Sequence, residues 1–232
     1  MIKPQCLSGN ALKIIAMLSM LADHVGKALF PDLLILQLFG RIAFPLFAYM
    51  IAEGCRYTKN RVRYFLGIFL LGAGCQAVYL IAMRSLYLGV LITFSLSIGC
   101  IFAIDAFLSR KTVLRALLMA GVIELALFVS LIAPSLFAKQ GLALDYGIYG
   151  VFFPIAVYYA KNKRAGLLSA AVLLLLRGIF VGGKHWCALF ALPLLLLYNG
   201  KRGKWRLKYL FYIFYPAHLA VIQLIVWALG SP

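Results

Sequence analysis

The chain has 232 residues, of which 65% are hydrophobic and only 12% charged, with a mean hydropathy of +0.99. A soluble globular domain is about 45–50% apolar and about 25% charged, so that class is excluded, and disorder, which requires low hydrophobicity, is excluded with it. The net charge of +17 would suggest nucleic acid in a soluble protein, but the cations here cluster between apolar runs, as in the cytoplasmic loops of a polytopic membrane protein.

A helical span needs ~20 residues. Nine apolar runs meet or approach that length, at about 10–30, 34–54, 62–83, 87–108, 113–133, 145–160, 165–181, 185–198 and 208–229. The sixth and eighth are short, as tilted or re-entrant segments are. The expected fold is all-α: one transmembrane helix bundle over residues 1–232 with about nine spans. The first run carries Lys13, Asp23, His24 and Lys27 and lacks a small-residue cleavage site, so it is expected to be a lasting helix and not a leader.

Basic residues set the orientation. With the N-terminus in the cytoplasm, sixteen fall inside: Lys3; Arg56, Lys59, Arg61 and Arg63; Arg110, Lys111 and Arg115; Lys161, Lys163 and Arg164; Lys201, Arg202, Lys204, Arg206 and Lys208. Four fall outside: Arg84, Lys139, Arg177 and Lys184. The longest loop is expected at 133–144. The five cysteines form no CxxC pair, and three dispersed histidines make no metal-ligand motif.

Ionisable groups inside a membrane are costly, and mark function by default. In the first run, Lys13 and His24 are eleven residues apart, three turns plus about 20°, and so share one face ~16 Å apart along the axis. Asp23 points about 100° away from His24 and suits Lys27, at i+4, or Arg41 of the second run. Arg41 lies at about the depth of His24 in the outer half, and Pro45 is expected to kink that helix. Glu53 is placed for Arg56 at i+3. The basic stretch Arg56–Tyr64, with Lys59, Arg61 and Arg63, enters the third run. Such a stretch is a positive-inside anchor or a site for phosphates beside a helix N-terminus. Asp145, followed by Tyr146 and Gly147, opens the sixth run as an N-cap or as part of a site. In the last run Tyr215 and His218 share a face beside Pro216, with His218 near mid-membrane. His185, next to Trp186, reads as interfacial.

Several ordered pieces resemble the TraX family: the stretch from Ala11 to Gly26, Gly40-Arg41-Ile42-Ala43-Phe44-Pro45-Leu46-Phe47, Glu53-Gly54, Thr58-Lys59-Asn60-Arg61, Asp145-Tyr146-Gly147, Tyr198-Asn199-Gly200 and Phe214-Tyr215-Pro216-Ala217-His218. The family takes its name from a protein that acetylates the N-terminus of a pilin. A more distant likeness is to the membrane acyltransferase-three family. Its first helix carries a basic residue, ten intervening residues and a histidine, a spacing shared by Lys13 and His24 with lysine where arginine is usual.

The resemblance implies acyl transfer from acetyl-CoA to an amine or hydroxyl of a peptide or glycan acceptor, in the bacterial inner membrane and with no nucleic acid partner. Under it, Lys59, Arg61 and Arg63 hold the nucleotide end of the donor and Lys13 meets it at the mouth of the bundle. His24 acts as general base, its ordinary pKa of ~6.5 suiting proton transfer near neutrality. His218 or Tyr215 donates to the oxyanion, with Asp23 and Arg41 fixing the geometry and Asp145, Tyr146 and Glu53 in support. The depth of His24 favours an acceptor presented from the membrane or the outer side. Two rivals remain: a proton-coupled transporter using Asp23, His24, Arg41 and His218, and a membrane scaffold.

Overall fold

The computed structural model describes residues 6–204 and 207–230. Lys3 and Arg206 of the basic count lie outside the described residues. In chain order the helices are α1 (Gly9–Ala28), α2 (Leu34–Gly40), α3 (Ala43–Tyr57), α4 (Arg61–Met83), α5 (Val90–Ser109) and α6 (Val113–Leu127). There follow a π-helical turn (Phe128–Ile132), α7 (Ala133–Leu136), a short 3-10 turn (Ala138–Gln140), α8 (Gly147–Tyr159) and α9 (Lys163–Val181). A 3-10 segment (Gly183–Phe190), α10 (Ala191–Leu196) and α11 (Lys208–Ala228) complete the chain. The fold is all-α, and no strand occurs among the described residues.

Among the described residues, six stretches are long and apolar enough to cross a membrane: Leu34–Tyr57, Arg61–Ile81, Val90–Ser109, Val113–Leu136, Lys163–Val181 and Tyr209–Ala228. They make this a multi-pass membrane protein. Gly147–Tyr159 and Gly183–Leu196 are apolar but shorter. α1 has 20 residues, but its charged and polar side chains leave it outside the six.

The chain forms two compact units, residues 1–50 with 167–232 and residues 51–166. In the first, α1 packs on α2 and on α11. Glycine makes the first contact possible. A Cβ on Gly40 would sit 2.2 Å from Asp23 Cβ and 2.8 Å from its Cα, and one on Gly26 would sit 2.8 Å from Leu36 Cβ. Small residues let membrane helices approach this closely. Gly40→Ala is therefore expected to destabilise the protein by about 1–3 kcal/mol through overpacking. Gly121→Ala, where nothing lies within 4 Å of the added carbon, should be neutral or slightly stabilising. Thermal unfolding in detergent compares the two.

Pro45 does not kink a continuous helix. The helix breaks at Arg41–Ile42, and Pro45 sits in the first turn of α3. The proline ring clashes with the carbonyl of residue i−4, which is Arg41, and offers it no N–H. The chain accordingly tightens there, with Arg41 and Ile42 amides bonding Leu38 and Phe39 three residues back, and restarts where proline is tolerated.

The N-terminus of α1 is tied to the turn before α11. Ser8 caps the helix, its hydroxyl accepting from the Ala11 amide. The amides of Gly9 and Asn10 donate to the carbonyls of Lys201 and Arg202, and Leu7 exchanges bonds with Leu197 and Asn199. The orphan donors of the helix end are thus met by the strap 197–202.

In the second unit, α5 packs against α4, α6 and α8. Fully buried Thr93 donates to the Asp145 carbonyl (2.8 Å) and Ser97 to the Val151 carbonyl (2.9 Å). Gly150 lets α8 close on Thr93. The expected loop at 133–144 is shorter than predicted, because the helix continues through a π turn to Leu136. Pro134 cannot bond the Ser130 carbonyl, and the wider turn, in which the Ala133 amide reaches Phe128, absorbs the mismatch.

Candidate functional site

α1 and α11 place two imidazoles in contact in the first unit. His24 Nδ1 lies 2.8 Å from His218 Nε2, with the ring centroids 5.0 Å apart and the planes inclined by 23°. His218 Nδ1 lies 2.7 Å from the Phe214 carbonyl oxygen. A carbonyl can only accept, so that nitrogen carries the proton. In the neutral pair His218 Nε2 is then bare and accepts from His24 Nδ1–H. The proton of His24 is committed to Nδ1, which leaves its Nε2 as a lone pair. The hydrogen-bond chain thus selects the tautomer that a general base needs. Phe214 stacks on the His218 ring (4.7 Å), and Tyr215 meets it at 5.8 Å. His218 is buried and His24 half-buried.

Either His218 or Tyr215 was expected as an oxyanion donor. In the neutral pair the one N–H of His218 bonds the Phe214 carbonyl and its other nitrogen accepts from His24, so the His218 side chain holds the His24 ring. Asp23 does not bond His24, as its offset of about 100° on α1 predicts. Its Oδ1 accepts from Arg41 Nη2 at 2.5 Å, and its Oδ2 accepts from Lys27. Both partners anticipated for Asp23 are therefore present at once, because α2 runs back along α1 and its break puts Arg41 at the level of Asp23. Arg41 Nε also donates to the Gln37 carbonyl (3.3 Å), and Gln37 Oε1 accepts from Lys184 Nζ (2.7 Å). Neither Gln37 nor Lys184 was singled out by its sequence surroundings.

Lys13 lies three turns before His24, with its Nζ 5.1 Å from the centre of the Phe211 ring. Arg202 of the strap is near enough to act on it electrostatically. Lys201, Arg202 and Lys204 are exposed. This end of the unit is strongly basic, and the histidine pair lies toward the opposite end of α1.

Six predicted site residues belong to the second unit. Glu53 pairs with Arg56 (2.8 Å) as its i+3 spacing suggests, and Arg56 also donates to the Val157 and Tyr158 carbonyls (2.5 and 2.9 Å) at the end of α8. Arg61 pairs with Asp105 (2.7 Å), which also accepts from the hydroxyls of Tyr158 (2.6 Å) and Tyr159 (2.9 Å). Asp105 was overlooked. A lone carboxylate at the end of an apolar run was the available signal. Arg61 is thus engaged within the protein, whereas Lys59 and Arg63 are exposed. Asp145 does not cap α8. The helix begins at Gly147 after Tyr146, which takes φ 62°, and the Asp145 carboxylate accepts from Tyr87 Oη at 2.9 Å.

A family model described as "TraX protein" matches residues 8–226. A curated protein of Dichelobacter nodosus, described as "Probable fimbrial assembly protein FimC, serogroup H1", is 30% identical over 93% of this chain and 94% of its own length. No solved structure matches.

Proposed function

Because the chain belongs to the TraX family, we propose that it is an integral membrane acyltransferase that moves an acetyl group from acetyl-CoA to an amine or hydroxyl. The observation that carries this is the bare Nε2 of His24, held by the hydrogen bond from Nδ1 to His218. Nε2 takes the proton of the acceptor as its nitrogen or oxygen bonds the thioester carbonyl carbon. The C–S bond then breaks, and the CoA sulfur leaves with the proton from Nε2. His218 holds the imidazole in place and shares the positive charge it gains. No protein nucleophile is needed.

Distance supports the same assignment. From Lys13 to His24 is eleven residues, about 16 Å along α1. About thirteen bonds separate phosphorus from sulfur in the pantetheine arm, a little over four residues' worth of chain, or about 15 Å extended. Phosphates at Lys13, Lys201 and Arg202 thus bring the thioester to His24. With α1 entering from the cytoplasm, as the basic-residue asymmetry predicts, the donor arrives from the strap end and the acceptor from the membrane or the outer face of the bacterial inner membrane. α1 and the two shorter apolar segments then bring the total to nine. The relative's description as a fimbrial assembly protein is in keeping with an acceptor that leaves the cytoplasm.

The test is acetyl-CoA binding and slow hydrolysis by the purified protein in detergent. Binding is expected, and it should weaken about tenfold in Lys201→Gln/Arg202→Gln, the loss of one to two charge-assisted hydrogen bonds. A folded protein that binds no acyl-CoA would overturn the assignment and favour a permease, in which the His24–His218 pair serves as a proton relay.

A further inference from the structure

The end of the first unit remote from the strap also gathers positive charge. Four elements meet there: the last turn of α1 with Lys27, the end of α2 with Arg41, the end of α9 with Arg177, and the 3-10 segment with Lys184 and His185. Contacts tie them together. Arg41 and Lys27 share Asp23, and Lys184 bonds Gln37 one turn before Arg41. Gly178 packs on Trp186, where a Cβ would come within 2.8 Å of the indole, so the turn carrying Arg177 presses on the 3-10 segment. All four cations are within electrostatic reach of His185, and Lys27 and Arg41 are within reach of His24. Asp23 is the one carboxylate inside the group among the described residues. Asp32, exposed in the turn between α1 and α2, forms no ion pair among the described residues.

Four full positive charges against these two carboxylates leave an excess beside the reacting histidine, with Lys27 and Lys184 exposed and Arg177 half-buried. Cations near a membrane boundary are stabilised by counter-anions. A phosphate offers several acceptor oxygens to donors from different elements and suits arginine and lysine together. We propose that this end of the unit binds a phosphate group, so that the acceptor presented to His24 is a phosphate-bearing molecule. The link to an acceptor rests on the acyltransferase assignment, but the phosphate site itself does not. The phosphate comes either from an anionic lipid headgroup or from a soluble phosphate compound.

The test is thermal unfolding of the full-length protein. In neutral detergent, inorganic phosphate is compared with chloride at matched ionic strength. In nanodiscs, phosphatidylcholine alone is compared with phosphatidylcholine mixed with phosphatidylglycerol. A phosphate-specific rise in the unfolding midpoint is expected. In Lys184→Gln, and separately in Lys27→Gln, the half-saturating phosphate concentration should rise about tenfold, as for the loss of one charge-assisted hydrogen bond. Arg110→Gln/Lys111→Gln, exposed and outside either site, should leave it unchanged. A midpoint raised only by phosphatidylglycerol identifies a lipid source, and one raised by inorganic phosphate a soluble source. If phosphate acts no differently from chloride and phosphatidylglycerol no differently from phosphatidylcholine, or if the effect survives intact in both lysine variants, there is no such site. No acyl-CoA enters the measurement, so failure here is separate from failure of the acyltransferase assignment.

Discussion

His24→Ala is expected to lower acetyl transfer, and the background hydrolysis of acetyl-CoA, by about 10²–10⁴-fold while leaving acetyl-CoA binding intact. That is the usual contribution of a positioned general base. The variant removes Nε2, the one imidazole nitrogen of the pair left with a lone pair and with no hydrogen-bond partner among the described residues. His218→Ala should have a smaller effect, about tenfold, because it removes one orienting hydrogen bond worth about 1–1.5 kcal/mol and leaves the base in place. His218→Gln should recover much of that loss, since its side-chain carbonyl can accept from His24 Nδ1–H. The order wild type, His218→Gln, His218→Ala, His24→Ala in single-turnover hydrolysis tests the tautomer. Equal loss in His24→Ala and His218→Gln would refute it, since retained packing would then count for nothing.

Asp23→Ala is expected to destabilise the protein by about 3–5 kcal/mol, the cost of leaving a buried charge without its counter-ion. The Arg41 side chain is only 8% exposed and that of Asp23 11%, so water cannot take the carboxylate's place. Lys27, 45% exposed, reaches solvent and contributes little to that cost. Asp23→Ala/Arg41→Leu should be less destabilised than Asp23→Ala, because the double variant leaves no stranded guanidinium. Chemical denaturation in mixed micelles reads both. If the double variant is worse than the single one, the pair is not what holds α1 to α2.

Membrane character, the all-helical class and the pairing of Asp23 with Lys27 or Arg41 could be read from composition, run length and helical spacing. Spacing within one helix is a local property, which is why Glu53 with Arg56 was also legible. The relation between His24 and His218 was legible only in part. Each stood out as an ionisable group in an apolar run, but their hydrogen bond depends on how α11 lies against α1, and nothing in either run encodes that angle. Asp105 was missed for the same reason: its partners Arg61, Tyr158 and Tyr159 come from two other helices. Pro45 marked a disturbance correctly but misplaced it by one turn, since a proline acts on the carbonyl four residues earlier. Gly40 appeared as part of a motif, and its role as the gap that admits Asp23 emerged only from the packing.

Ribosomes deliver this histidine pair late. His24 and His218 are 194 residues apart, so at synthesis rates of about 5–20 residues per second the first waits roughly 10–40 seconds for the second. α1 meets α2 almost at once, and Asp23 can pair with Lys27 and Arg41 while the nascent chain is still short. Its N-terminal turn stays uncovered until the strap around Lys201 and Arg202 emerges. Translation therefore orders assembly: the first helical hairpin is held by charge early, and the bare nitrogen of His24 is oriented only when the last helix docks. A chain released before that point can occupy the membrane with His24 unoriented.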